Sequence, residues 1–515
     1  MKRIFTLITL IGCIASASAT DYKGNLAVIL NGASAGTQQT TIAVNQQPDG
    51  KYELQLHDFI LGSGEDMIPV GNIDLKDVPA TETDGKITLS AKQAIYITEG
   101  SDVSPYWLGP GLCDEGPIDI EMSATIAGGA LKARIDIPFG FLNINVLFTS
   151  ATMQIPNPDF ELFHKEKSGS KSGDEPNHWH SFLSATGDCA AAQNTFSAVH
   201  TAISTDIRPN STGKSSLLIK STNVFGITAN GTVTTGRMVA GSMTATDPAN
   251  HALLDLSNGD KDANGDPFYT KLAARPDSLV CWVKFNQAKA VAAAPYATVN
   301  AVITDGTRYQ DPEDKTYTNV VAKATDAEIV SDNTWKRLAL PFDYATYAGN
   351  NAEAKAILVT ISTNAKPGKG NANDQLFVDD LELVYNPKLT GITAFGKEIT
   401  GFDPKTTEYN ITVDKTPTAD DIKGIGAENT VITYMDTEAS TATILAFGED
   451  LRSTASYTVK YTIDTTGIED NKIAADGKKV TGVYNLNGQQ VHQKQPGQIY
   501  VTKYADGTTV KTLNK

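Results

Sequence analysis

Ile155-Pro156-Asn157-Pro158-Asp159-Phe160-Glu161-Leu162-Phe163 opens the largest strand-rich module of this 515-residue chain, and Leu376-Phe377-Val378-Asp379-Asp380-Leu381-Glu382-Leu383-Val384-Tyr385 closes it. Pro156 and Pro158 have no N–H to give to a ladder, so the opening stretch reads as a stiff extended arm or an edge strand rather than a central strand. In the closing stretch, alternation puts Phe377, Leu381, Leu383 and Tyr385 on one face and Asp380 and Glu382 on the other. Strict alternation also places Asp379 on the apolar face. An inward carboxylate is costly unless it is paired, hydrogen-bonded or bound to a metal. The opening arm, with Asp159 and Glu161, is the expected neighbour of Asp379, and a structural calcium ion joining them is one expected partner.

Three groups inside this module carry possible recognition chemistry. His178 and His180 flank Trp179 and would point the same way on a strand, which is half a metal site. No third ligand stands at a fitting spacing, so a hydrogen-bonding pair is the simpler reading. Trp179, with prolyl and polar neighbours, is expected to be exposed. Trp335 lies in an alternating strand and is expected in the core, while Trp282 is left open between the two. Trp179, Trp282, His178 and His180 are therefore the candidate carbohydrate contacts. The third group is Asp260-Lys261-Asp262-Ala263-Asn264-Gly265-Asp266, which matches the first seven positions of an EF-hand loop. Asp260, Asp262 and Asn264 supply alternating hard oxygen ligands for calcium, and Gly265 permits the sharp turn. Lys271 stands where the bidentate Glu belongs, so a solvated turn competes with a calcium loop.

Asn157-Pro158-Asp159-Phe160-Glu161, the Trp179 segment, Gly265-Asp266-Pro267-Phe268, Arg275-Pro276-Asp277-Ser278-Leu279, Trp335-Lys336-Arg337-Leu338 and Phe377-Val378-Asp379-Asp380-Leu381 occur in an order that resembles the carbohydrate-metabolism domain of secreted Bacteroidetes proteins. The resemblance implies a jelly-roll β-sandwich over 155–386, a carbohydrate ligand, and calcium stapling its first and last strands as in carbohydrate-binding jelly rolls. Upstream, short alternating strands with glycine turns favour a meander that closes into a barrel, because closure removes exposed edges. Tyr22-Lys23-Gly24-Asn25-Leu26, Asp49-Gly50-Lys51-Tyr52, Val70-Gly71-Asn72-Ile73 and Asn143-Ile144-Asn145-Val146-Leu147-Phe148 resemble the calycin-like domain, over 20–150. Such a barrel either holds a small apolar ligand or fills itself with side chains, and the second is the simpler reading.

Downstream, Asn386-Pro387 ends pairing. Residues 388–465 resemble an immunoglobulin-like or cadherin-like sandwich through Gly401-Phe402-Asp403-Pro404 and Glu408-Tyr409-Asn410-Ile411. A Thr465-Thr466-Gly467 hinge leads to 468–515, where Val483-Tyr484-Asn485-Leu486-Asn487-Gly488 and Ile499-Tyr500-Val501 resemble a type IX secretion sorting domain, departing from its pattern at Pro496-Gly497-Gln498. The expected fold is all-β: barrel, jelly roll, Ig-like sandwich and a small C-terminal β module.

Lys2 and Arg3, the apolar run Ile4 to Ala15 and Ala17-Ser18-Ala19 form a three-part secretory signal over 1–19, cleaved after Ala19. A lipobox reading at Cys13 competes, but that cysteine lies inside the apolar run. No other stretch is apolar for eighteen residues, so no transmembrane segment is expected. The net charge is −16, and −18 once Lys2 and Arg3 are removed, which disfavours nucleic acid as a partner. Cys113, Cys189 and Cys281 allow at most one bridge, for which Cys189 to Cys281 is one candidate pairing. There is no nucleophile elbow and no phosphate-cradling glycine loop. The expectation is an exported, extracellular or cell-surface protein that binds a polysaccharide or glycan without catalysis. The alternatives are a glycoside hydrolase using a carboxylate pair of the central module, and an adhesive protein that contacts an outer-membrane or host surface protein.

Overall fold

The computed structural model describes residues 19–62, 67–102, 106–140, 142–325, 327–427, 429–464, 479–491 and 494–514. The signal-peptide reading for residues 1–18 and the 465–467 hinge lie outside the described residues. The chain falls into two compact units. The first gathers the chain as far as Leu389 together with Gly426–Ile432 and Leu445–Ala455, and the second takes Thr390–Ile425, Thr433–Ile444 and Ser456–Lys515.

The first unit begins with nine strands in one antiparallel sheet: Ala19–Leu30 (β1), Ala33–Gln46 (β2), Tyr52–Leu61 (β3), Ile68–Val78 (β4), Ala80–Thr83 (β5), Lys86–Ile95 (β6), Ile118–Ala127 (β7), Ala130–Phe139 (β8) and Leu142–Thr149 (β9). The order is β4-β3-β2-β1-β9-β8-β7-β6-β5. Only Pro79 separates β4 from β5, and proline can donate no ladder bond. The two therefore act as one kinked stave, pairing with β3 on one side and β6 on the other, and the sheet closes. Alternate residues point inside, among them Leu26, Val28, Ile42, Val44, Leu54, Leu89, Met122 and Phe148, and they form one continuous core. The barrel interior is thus occupied by its own side chains, each large aliphatic adding about 1.5–3 kcal/mol on burial. Along Leu26-Ala27-Val28-Ile29 the alternation gives way to an unbroken apolar run. Both faces are covered there, because Ala27, Ile29 and Leu147 pack outside the barrel against Ile432, Leu445, Phe447 and Leu451.

The central module follows with Phe163–Ser168 (β10), Lys171–Pro176 (β11), Thr201–Ser204 (β12), Ser216–Lys220 (β13), Thr222–Val224 (β14), Ile227–Ala229 (β15), Thr232–Thr234 (β16), Arg237–Ala240 (β17), Asn250–Leu254 (β18), Thr270–Lys271 (β19), Ser278–Asn286 (β20), Tyr296–Thr304 (β21), Tyr309–Asp311 (β22), Val320–Ala324 (β23), Ile329–Val330 (β24), Lys336–Pro341 (β25), Ala356–Ser362 (β26) and Gln375–Val384 (β27). One sheet runs β12-β13-β27-β20-β25 and a second runs β16-β26-β21-β23. Leu217, Ile219, Leu279, Cys281, Val283 and Phe285 from the first share a core with Val299, Ala301, Val359 and Ile361 from the second. A smaller sheet, β17-β18-β22, packs through Met238, Leu254 and Tyr309 onto Val302 and Leu358.

The bracketing stretches meet, but not as strict alternation predicts. The opening arm is a turn rather than an edge strand, with Asn157 at φ 47 and Phe160 at φ 50. It is held to β27 by Leu381 N–H donating to Pro158 O (2.9 Å) and by Gln154, which both donates to and accepts from the backbone of Leu383 (2.6 and 2.8 Å). Within β27 a bulge intervenes. Val280 pairs with Glu382 and Trp282 with Asp379, so one residue of β20 opposes two of β27, and Asp380 has φ 45. The bulge shifts the parity: Leu376 and Val378 point into the core, and beyond it Leu381, Leu383 and Tyr385 do. Asp379 therefore lies on the outer face beside Trp282 and not among the core residues.

Two further expectations are corrected. Trp335 is half-buried on the outer face, its Nε1 donating to Asp206 (3.0 Å), because it precedes β25 on the parity of the exposed Arg337 and Ala339. Cys113, Cys189 and Cys281 are all free thiols, and complete burial pushes Cys281 up to about 12.

In the second unit, Gly391–Ala394 pairs with Lys397–Glu398 and Ile422–Ile425, and Glu408–Val413 runs parallel to residues 458–463. Val480–Tyr484, Ile499–Tyr504 and Thr509–Leu513 form an antiparallel meander.

Candidate functional site

Two rows of polar side chains cross the outer face of the second sandwich sheet. Thr232, Ser362 and Thr298 stand opposite one another on β16, β26 and β21, and Thr234, Thr360 and Asn300 form the next row. Farther along, the same face turns apolar and is covered by β17-β18-β22. Between the cover and the polar rows lies a cleft of about 200 Å³, walled by Asn230, Ser242, Asn250, His251, Asp311 and Asn364 among others.

The polar groups of the cleft are mostly hydroxyls and amides, and two of its residues hold an unpartnered buried acceptor. His251 Nδ1 donates to Pro248 O (2.9 Å), which leaves Nε2 as a buried lone pair without a partner. Burial holds the His251 pKa below the usual value, so the ring is neutral near pH 7. Asn230 Nδ2 donates to Asn364 O (3.1 Å), and its Oδ1 is buried without a partner. Asp311 has its pKa raised, chiefly by burial. Hydroxyls and amides both donate and accept, so such a cleft suits a ligand that does the same, as a polyhydroxyl compound does. Close in sequence to the lining residues Gln193 and Val224 is an exposed aromatic pair: Phe196, ending the helix Ala190–Phe196, and Phe225, at the β14–β15 turn, have ring centroids 4.6 Å apart and are 57% and 68% exposed.

The residues singled out in the sequence fall elsewhere. Trp179, expected to be exposed, is fully buried; it packs on Phe160 (5.3 Å) and donates from Nε1 to Pro156 O (3.2 Å). It anchors the opening arm because that arm offers both an apolar ring and a free carbonyl. Trp282 is half-buried on the outer face of the first sheet beneath the Arg208 guanidinium (5.4 Å), which also pairs with Asp380. Asp379, Asp159 and Glu161 do not gather: Asp159 is exposed, and Glu161 accepts from the Lys214 and Ser215 amides (2.6 and 2.9 Å). A Cβ at Gly213 would stand 2.4 Å from that Glu161 oxygen, so a side chain there would displace the carboxylate from this cap. Asp379 accepts from the Asp380 amide (2.9 Å), and burial, with Asp380 beside it, pushes its pKa up to about 7.

Asp260, Asp262 and Asn264 do not converge as an EF-hand would require. Asp260 pairs outward with Arg237, Asn264 donates to Asp266 (2.9 Å), and Asp262 alone turns inward. Gly265, at φ 88, makes the turn the sequence called for. His178 and His180 do not share a strand face. His178 bonds Asp266 (3.1 Å), while the wholly buried His180 reaches Asp262, its Nδ1 3.6 Å from Oδ2. Around Asp262 stand three residues missed in the sequence: His164, Glu166 and Glu175. His164 and Glu166 share one face of β10, and Glu175 is the direct partner of His164 on β11. The hairpin alternation was the available signal. Burial pushes Glu175 up to about 7 and His180 down to about 4.

Fold and site together define a multidomain β protein whose first module is a calycin-like barrel and whose central sandwich carries a polar cleft. Residues 19–151 match the family profile of the calycin-like beta-barrel domain. Among solved structures, the chain is similar to a Bacteroides vulgatus protein provisionally assigned as a glycoside hydrolase, at 16% identity and TM-score 0.28 over 44% of this chain and 96% of that one. A Bacteroides thetaiotaomicron protein assigned in the same provisional way gives 14% identity and TM-score 0.30 over 52% and 86%. The M60 catalytic domain with two CBM51 domains of Clostridium perfringens ZmpB gives 12% and 0.14 over 95% and 45%. These likenesses are too distant to carry an argument about this chain. No curated protein matches.

Proposed function

We propose that this chain is an exported carbohydrate-binding protein that holds a glycan in the cleft of its central sandwich. The observation that carries the reading is a cleft lined by hydroxyl and amide side chains, two of whose lining residues, His251 and Asn230, each hold a buried acceptor without a partner, Nε2 and Oδ1. An acceptor left unpaired costs about 1–3 kcal/mol, and sugar hydroxyls are the donors that would recover it. The exposed Phe196–Phe225 pair, whose Phe225 is next in sequence to the lining residue Val224, would supply an apolar surface for a sugar ring. A glycosidase needs two carboxylates about 5–10 Å apart, and among the described lining residues Asp311 is the single carboxylate. Binding is therefore the reading put forward over hydrolysis.

The test is a glycan array on the full chain, followed by calorimetry and a product assay on each hit. Specific glycan binding that falls about tenfold or more in His251→Leu and in Phe225→Ala supports the reading. Binding unaffected by both variants, or no binding across the array, removes it. Turnover of a bound glycan moves the protein to the hydrolases.

A further inference from the structure

Four buried polar atoms of the central module have no hydrogen-bond partner and lie together: His164 Nε2, His180 Nδ1, Glu175 Oε2 and Asp262 Oδ2. Ligand atoms of His164, Glu166, Glu175 and Asp262 all lie within 4.8 Å of one another. The side chains of His180 and Asp262 are wholly buried, as is Glu175, and those of His164 and Glu166 are 9% and 10% exposed. Each residue is oriented from behind. His164 Nδ1 donates to Asn177 Oδ1 (3.1 Å) and His180 Nε2 to Pro267 O (3.2 Å), so the inward nitrogens are both lone pairs. Glu166 accepts from the Ala263 and Lys167 amides, Glu175 from Ser181 N–H, and Asp262 Oδ1 from the amides of Asn264 and Asp266. One oxygen of Glu175 and one of Asp262 are left without a partner beside the imidazoles.

Three carboxylates meet two imidazoles in this closed space, and no lysine or arginine pairs with the three among the described residues. Buried charges of this kind are paired or bound to metal. We propose that His164, His180, Glu175 and Asp262, with Glu166 beside them, form a closed structural site for a divalent first-row transition ion, zinc foremost. Imidazole donors suit zinc and its neighbours, whereas calcium takes oxygen alone. The spacing agrees. His164 Nε2 is 3.6 Å from both Asp262 Oδ2 and Glu166 Oε2, and His180 Nδ1 is 3.6 Å from Asp262 Oδ2. Each of these three separations matches that between two ligands of a tetrahedral ion with metal–ligand bonds of about 2.2 Å, the upper end of the zinc range. The ion ties the β10–β11 hairpin, the segment carrying His180 and the 260–266 turn into one unit. This site is separate from the glycan cleft and stands whether or not that cleft binds sugar.

The experiment is elemental analysis of the full chain after dialysis against zinc, manganese or calcium, read beside its melting temperature and the visible spectrum of the cobalt-loaded chain. The expected result is about one zinc per chain, a melting transition that drops by about 5 °C or more with a strong chelator, recovery with zinc but not calcium, and cobalt bands of low-coordination intensity. Asp262→Asn and His180→Gln should lose the ion. Asp260→Asn, which alters only the outward pair with Arg237, should keep it. Should Asp262→Asn fail to fold, the wild-type cobalt spectrum and stoichiometry still decide. Less than about a tenth of an ion per chain with no chelator effect would overturn the site; calcium retained in preference to zinc, or full zinc binding by folded Asp262→Asn, would do the same.

Discussion

Trp179 shows at the residue scale how neighbours in sequence mislead about burial. Its polar and prolyl flanks suggested an exposed ring, yet those flanks are the turn that wraps it against Phe160 and Pro156. Trp179→Ala is therefore expected to destabilise the central module by about 3–5 kcal/mol, measured by denaturant unfolding, whereas Trp282→Ala on the outer face should cost less than about half of that. Asp379 makes a different prediction. Burial beside Asp380, only partly offset by Arg208, raises its pKa to about 7 in the folded chain against an ordinary value of 3.8. A group raised in this way stays protonated in the folded state while it ionises in the unfolded one, so stability falls as pH rises from about 4 to about 7. Asp379→Asn, which mimics the protonated form, should raise the melting temperature at pH 8 and leave it unchanged at pH 4. Equal shifts at both pH values would show that Asp379 is ionised in the fold.

At the scale of elements, the ends of the central module are fastened by hydrogen bonds. Gln154 bridges both backbone groups of Leu383, and the Tyr385 hydroxyl donates to Met153 O (2.7 Å). Gln154→Ala should lower the melting temperature of the module and speed amide exchange at Leu383 specifically, since it leaves that N–H and C=O without their side-chain partner. Unchanged exchange there would mean that the Leu381–Pro158 bond suffices alone. The cleft follows from the same kind of accounting. Thr298, Asn300, Thr360 and Ser362 take the outer parity of β21 and β26, and this alternation was legible in the sequence. That the smaller sheet covers only the apolar end of the face, leaving the polar end to line a cleft, depends on pairings far apart in sequence.

For the molecule as a whole, the first unit draws on segments from beyond residue 425. Ala27, Ile29 and Leu147 on the outside of the barrel are buried by Ile432, Leu445, Phe447 and Leu451. A chain ending at Asn386 should therefore expose an apolar patch on the barrel, seen as increased binding of a hydrophobic dye and a lower barrel melting temperature relative to the full chain. If dye binding and melting are both unchanged, the outer face of β1 is stable in water by itself. The unbroken Leu26–Ile29 run was the clue, because a strand exposed on one side would have kept its alternation.

By itself the sequence determined the all-β class, the strand-by-strand alternation of the barrel and the glycine-dependent turn at 260–266, because these depend on side-chain period and on local backbone freedom. It also brought out Asp262 and His180, two of the five residues of the proposed metal site. It could not give the bulge at Asp379–Asp380. One inserted residue reverses every facing beyond it, and its place is set by pairing with β20 rather than by anything within β27. Nor could it gather His164, Glu166 and Glu175 around Asp262, which lies about a hundred residues away along the chain. Only the tertiary structure closes that distance, because the donors converge when the β10–β11 hairpin folds onto the 260–266 turn and excludes water from the space between them.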